Sequence, residues 1–296
     1  MSQVDILMIG HFAKDRIVVD GQGEISPGGA VYYGSIALRR LGVRVAVATR
    51  LHPEDFTLLT PLKEAGVEVY ATPAPATSGI ENIYSSADME RRVTHPLGFA
   101  GPFQEEDIPD VSARIYAVVP IIAGEVDLSL LRKIAQRGPT ALDIQGFIRV
   151  AVGNQLIFQP WPEMAEGLAC VTYLKVDLAE AQFLTGHSEP IAAVATLAGF
   201  GPQEVVLTRS EGVLVYAEGR AYFAAFKPRS LAGRTGRGDT CFATYLGKRL
   251  NLDPAEACRW AAAVTTLKQE KPGPWDGNMD ALQTVLDHTE VEILPV

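Results

Sequence analysis

The chain has 296 residues, 47% hydrophobic and 21% charged, with 35 acidic against 26 basic side chains and a formal net charge of −9. This suits a globular α/β protein of one large domain or two small ones, and the acidic balance excludes the basic face that a nucleic-acid partner needs. Three cysteines without C-x-x-C spacing suggest neither a disulfide framework nor a zinc site and fit a reducing cytoplasm.

The N-terminus enters a strand pattern at once, without the basic segment and long apolar run of a secretory signal, and no apolar stretch is long enough to span a membrane. In chain order, the spacing predicts a buried strand at Val4–Ile9, a hairpin at Arg16–Ile25 turning on Asp20-Gly21, a helix at Ala30–Leu41 and a strand at Val43–Ala48. A helix at Glu54–Ala65 and a second pair of short strands at Ile80–Val93, around Ala87-Asp88, follow. Next come a strand at Ile115–Val119, a helix at Leu128–Arg137 and strands at Ala141–Ile144 and Val171–Lys175. Helices at Leu178–Leu184 and Ile191–Ala198 then lead to a strand at Glu204–Thr208. The last third holds a hairpin, Val213–Tyr216 with Ala221–Phe226, and helices at Asp239–Leu250, Pro254–Gln269 and Met279–Asp287.

Short β runs alternating with longer helices predict a mostly parallel sheet with helices on both faces and ligands beyond the carboxyl ends of its strands. The segments 16–25 and 80–93 have no helix to cover them. They are either surface excursions or a small sheet closing over a site.

The most informative stretch is Thr235-Gly236-Arg237-Gly238-Asp239-Thr240 ahead of an apolar helix. Glycines let several N–H groups face one point, and a helix start adds unpaired N–H groups and a positive dipole end. That is an anion site with a carboxylate fixed beside it, the pair that phosphoryl transfer to a hydroxyl needs. Alternatively, Asp239 merely caps the helix of a glycine-rich loop.

Other signals fall in a consistent order. Asp15 follows the first strand, Gly28-Gly29 precedes the helix at Ala30, Asp177-Leu178-Ala179-Glu180 follows the strand at Val171–Lys175, and Thr208-Arg209-Ser210-Glu211-Gly212 ends the strand at Glu204. Along its whole length the chain resembles the ribokinase (PfkB) family of sugar and nucleoside kinases. The resemblance implies a three-layer α/β/α fold, one domain over residues 1–296 with a β lid near 16–25 and 80–93, and an ATP- and Mg²⁺-dependent kinase. It makes Asp239 the base and Gly236, Arg237 and Gly238 the anion hole, and it puts Asp15, Gly28 and Gly29 on the acceptor. Glu180 corresponds to the acid of the family's Asn-x-x-Glu motif, which organises Mg²⁺ through water, with Asp177 in place of the Asn. Thr208, Arg209 and Gly212 fall in the stretch lining the nucleotide. Asp143 and Arg149, in a segment found in some family branches, are further pocket candidates, unless Arg149 pairs with a surface acid.

Departures leave points open. The family opens its phosphate loop with Asp-Thr where this chain has Gly233-Arg234; that Asp helps build a monovalent-cation site, so activation by potassium is open here. Arg237 either reaches the donor phosphates or points to solvent. Tyr33 stands where many ribokinases carry Asn, and either reshapes the pocket or packs its helix on the sheet. Short stretches look most like inositol-kinase branches, giving myo-inositol as the first acceptor ahead of ketohexoses, sugar acids and nucleosides. The resemblance also admits a homodimer through the lid. A non-catalytic sugar or nucleotide sensor on the same fold is a further reading. A Rossmann dehydrogenase lacks its fingerprint, since Gly10-His11-Phe12-Ala13 is not Gly-x-Gly-x-x-Gly.

Overall fold

A computed structural model describes the backbone at residues 2–85 and 88–296 and, apart from residues 2, 84–85 and 88–92, the side chains on it. Strand Ser2–Ile9 shows how the layers arise. Ile6 and Met8 face one apolar cluster while Leu7 and Ile9 face another, so both sides of the strand are buried. It pairs in parallel with Val45–Leu51 on one side and Val111–Val118 on the other.

The ten-stranded sheet continues outward from these two. Glu68–Pro73 forms one edge; on the other side come Thr140–Asp143, Tyr173–Asp177 and Glu204–Thr208, all parallel. Gly212–Ala217, Arg220–Ala225 and Glu292–Leu294 then add antiparallel. Helices 30–40, 237–249 and 254–269 cover one face, and helices 128–135 and 190–198 the other. This is the expected three-layer, mostly parallel architecture.

The two uncovered β segments meet in a separate four-stranded sheet, ordered Gln22–Gly28, Ala13–Val19, Gly79–Ser85, Asp88–Gly98. Strands 13–19 and 79–85 lie parallel within it. Residue Asp20, at φ 49, and Gly21 make the expected first turn. The second turn, at Ala87-Asp88, falls partly outside the described residues.

Some elements differ from expectation. Glu54–Ala65 is not one helix but a 3-10 segment, Pro53–Leu59, and a short α-helix, Thr60–Glu64. Pro61 has no N–H to donate, so an α ladder cannot run through it. The edge strands Glu68–Pro73 and Glu292–Leu294 lacked a clear pattern because they are short and largely solvated. Arg149–Val152 and Gln155–Phe158 form an unexpected antiparallel hairpin whose tip reaches the small sheet, with His95 Nδ1 2.6 Å from the Asn154 carbonyl oxygen.

The small sheet is rooted in the main body by a buried polar knot. His11 Nδ1 and Ser78 Oγ share a hydrogen bond at 2.7 Å, and the Ala100 N–H donates to the same hydroxyl. The Glu125 carboxylate accepts from the N–H groups of His11, Ile121 and Ile122. Burial pulls the His11 imidazole down to about 3, which leaves it neutral. Burial also pushes the Glu125 carboxyl up to about 7, against the pull of those N–H groups.

The folded chain therefore holds a proton on Glu125 that the unfolded chain loses near 4.5. The stability this proton supplies is full below that pH and gone once pH has risen through about 7. Glu125→Gln is expected to flatten the fall in melting temperature between about pH 5 and 8, a difference on the order of 2 kcal/mol against the parent. Parallel curves for parent and variant would contradict this.

Candidate active site

Helix 237–249 starts two residues earlier than its sequence pattern suggests, so Arg237, Gly238 and Asp239 form its first turn, with Gly236 as N-cap. Gly236 has φ 82, and a Cβ there would lie 2.4 Å from the Tyr33 ring. A residue with a side chain would be strained in backbone and blocked in space. Within this turn the Arg237 N–H donates to the Arg234 carbonyl at 3.1 Å, and the turn lines a cavity of about 160 Å³ at the carboxyl ends of the parallel strands.

One half of this cavity is lined by Asp15, Ile80, Asn82, Ile121, Asp143, Gln145 and Arg149. Asp15, 4% exposed, accepts the Ile80 N–H at 2.9 Å, which ties strands 13–19 and 79–85 together at the cavity wall. Asp143 ends its strand and accepts the Gln145 N–H at 3.1 Å. Arg149 is buried and lines the cavity. Tyr33 lines the cavity and also packs its helix in the apolar cluster. Burial first, then Asp15 and Asp239, raises its phenol above the ordinary tyrosine value.

The other half is lined by Lys175, Asp177, Thr208, Arg234, Thr235 and the turn Gly236–Asp239. Asp177 caps helix 178–185: its carboxylate accepts the Glu180 N–H, and Glu180 accepts the Asp177 N–H in return. Lys175 Nζ sits 3.0 Å from Asp143 and 3.8 Å from Glu180, with all three side chains buried. Burial alone would discharge this ammonium, but Asp143, Glu180, Asp177 and Asp239 outweigh it and hold the lysine above its ordinary value. Burial pushes Glu180 up to about 7 against the opposing pull of Lys175. Its Oε1 is buried with no protein partner, an acceptor left over for a further group.

Thus Asp15, Gly29, Tyr33, Asp143, Arg149, Asp177, Thr208, Gly236, Arg237, Gly238 and Asp239 share one cavity. Gly28 lies behind it, where a Cβ would fall 2.0 Å from the Asp15 carboxylate. Glu180 lies beneath it. Arg209 and Gly212 stay outside: Arg209 stacks over Phe223 beside Glu211, and a Cβ on Gly212 would strike the Ala224 carbonyl. Sequence reading missed Lys175, Asn82, Gln145 and Arg234. Lys175 alone left a signal, a charge inside a buried strand run.

The PfkB carbohydrate-kinase family model matches residues 4–280 of this chain. A cytidine kinase of Thermococcus kodakarensis is 26% identical over 266 residues, spanning 86% of this chain and 92% of its own. A pyrophosphate-dependent kinase of the ribokinase family, solved with a pyrophosphate analogue and myo-inositol, is 34% identical over 94% of this chain and 99% of its own, with a TM-score of 0.88. The Arabidopsis thaliana ribokinase complexed with ribose and ATP shares the fold at a TM-score of 0.75 and 18% identity, over 97% of this chain and 99% of its own. The chain belongs to the PfkB family of carbohydrate kinases and is a phosphotransferase.

Lys175→Met removes the ammonium that offsets two buried carboxylates, and is expected to cost about 3–5 kcal/mol of stability. Glu180 then rises further, so the variant should lose more stability than the parent between about pH 5 and 8. Denaturant titrations at both pH values check this, and an equal deficit at each would show that the charges are not coupled.

Proposed function

We propose that the chain transfers a phosphoryl group from inorganic pyrophosphate to a hydroxyl of a cyclic polyol of the myo-inositol class. One observation carries the donor choice. The donor half of the cavity offers Lys175, Arg234, Arg237, the Thr208 hydroxyl and backbone amides, but no apolar slot for a base. Such a wall suits a ligand that is phosphate throughout. The polyol reading rests on Asp15, Asn82, Asp143, Gln145 and Arg149, a polar set matched to several hydroxyls. Similarity to the pyrophosphate-dependent kinase complexed with a pyrophosphate analogue and myo-inositol supports both halves.

In the proposed mechanism Asp15, with Gly28 and Gly29 behind it, Tyr33, Asp143 and Arg149 orient the acceptor. Asp239 takes the proton of the attacking hydroxyl, its oxygen bonds to phosphorus, and the bridging P–O bond breaks to release orthophosphate. Gly236, Arg237 and Gly238 stabilise the charge on the phosphoryl group in transit, and Lys175 with Thr208 steadies the donor from below. Arg209 and Gly212 shape the hairpin that bounds this half.

Among the described residues no cluster of three His, Cys, Asp or Glu side chains is set to hold a metal. The cavity-facing Asp177 and the buried Glu180, with its spare oxygen, fit a divalent ion bound mainly through water and phosphate. Bound there, Mg²⁺ supplies charge neutralisation of the donor.

ATP is the second reading of the donor, favoured by a separate cavity of about 280 Å³ lined by Lys227, Thr266, Leu267, Val285 and His288, with room for a base. Release of orthophosphate or of ADP, measured with each donor against polyols, sugars and nucleosides, separates the readings. The expected result is turnover with pyrophosphate and an inositol, lowered about 10²–10⁴-fold in Asp239→Asn with donor affinity kept. Turnover only with ATP, or only on a nucleoside, would overturn the donor or acceptor assignment.

A further inference from the structure

Beneath the phosphate loop lies a lysine that the transfer chemistry leaves without a role. Lys268, in the last turn of helix 254–269, is 1% exposed, and its Nζ donates to the Gly233 carbonyl at 2.5 Å. The ammonium also lies 5.0 Å from the centroid of the Tyr33 ring, within cation–π range. That ring is the one against which Gly236 packs.

Gly233 is seated on the carboxyl end of the same helix. Its N–H donates to the Gln269 carbonyl at 2.8 Å, and a Cβ on it would fall 1.7 Å from the Lys271 carbonyl oxygen and 2.8 Å from that of Lys268. Gly233 therefore packs against the last-turn carbonyls at the negative end of a helix dipole, where a positive charge is favoured. The loop brings no carboxylate of its own at Gly233. Burial pulls the lysine down to about 8 while Asp239 pulls it up, so it is mainly charged at neutral pH.

We infer that Lys268 acts as a resident monovalent cation, holding the Gly233 carbonyl and, with Tyr33, the 233–238 loop in its phosphate-binding shape, so that phosphoryl transfer needs no potassium or sodium ion. An ammonium carries the charge and nearly the size of a potassium ion. Lys268 is a positioning residue, since it reaches phosphate only through the loop. The inference rests on the phosphotransfer reading of the cavity. Lys268 also lines a second cavity of about 730 Å³, between the small sheet and residues 231–235, through which a small cation can enter once the side chain is shortened.

The test compares parent turnover at constant ionic strength in potassium, sodium and tetramethylammonium chloride, where agreement within about twofold is expected. Lys268→Ala should lower kcat about 10- to 100-fold with acceptor KM little changed, and added ammonium, potassium or ethylamine should restore most of the loss. Lys268→Met, which fills the same space without charge, should show the same kcat loss if the alanine variant does not fold. A parent that requires potassium, a folded variant with parental kcat, or a loss that no cation relieves would each overturn the inference. If no acceptor turns over, the proposed function fails separately. Pyrophosphate titration then decides, with binding about tenfold weaker in the variant and restored by potassium expected, and unchanged binding refuting.

Discussion

At Gly236 the backbone leaves no room for a single carbon atom, and the arrangement of the cavity depends on that contact. The Tyr33 ring occupies the space a Cβ would need, so the start of helix 237–249 packs directly on a side chain of helix 30–40. This fixes the direction of the first-turn N–H groups and the position of Asp239 relative to Asp15 and Asp143 across the cavity. Tyr33 is held from the other side by helix packing and by the Lys268 ammonium. A small rotation of either helix would therefore move the turn Gly236–Asp239 within the cavity, and phosphoryl-transfer geometry in general tolerates only displacements well below an ångström.

Electrostatics add a second level of constraint. The chain is strongly acidic as a whole, yet Lys175, Arg234, Arg237 and Lys268 gather on or beneath one loop. Burying Lys175 beside Asp143 and Glu180 is a balanced arrangement, because removing either sign leaves the other desolvated. Cations are thus concentrated at the turn of a molecule that is acidic as a whole, with the carboxylates of Asp15, Asp143, Asp177 and Asp239 around the same cavity.

How much of this could be read from the residues depended on whether the information was local. Asp20-Gly21 encodes its own turn, and Gly236 to Asp239 encodes a helix start with an acid in its first turn, so both were legible. The sheet was legible because strands such as Val4–Ile9 are apolar on both faces. Lys175 showed only as a charge inside a buried strand run, since its meaning lies in Asp143, distant in sequence and adjacent only through strand pairing. Arg209 and Gly212 were named from the correct loop, but their outward direction follows from the hairpin's pairing with Phe223 and Ala224. The break in the predicted helix 54–65 turns on Pro61, whose effect is local and was available.

The unexpected hairpin 149–158 begins with Arg149 in the cavity and ends in a tip bonded to His95 on the small sheet. A cavity-lining arginine and the small sheet are thus joined through one hairpin. A displacement of that sheet relative to the main body would pull on the hairpin tip at Asn154, and the same hairpin begins at Arg149. The place of Arg149 in the cavity and the placement of the small sheet are therefore linked through the chain itself and are not set independently.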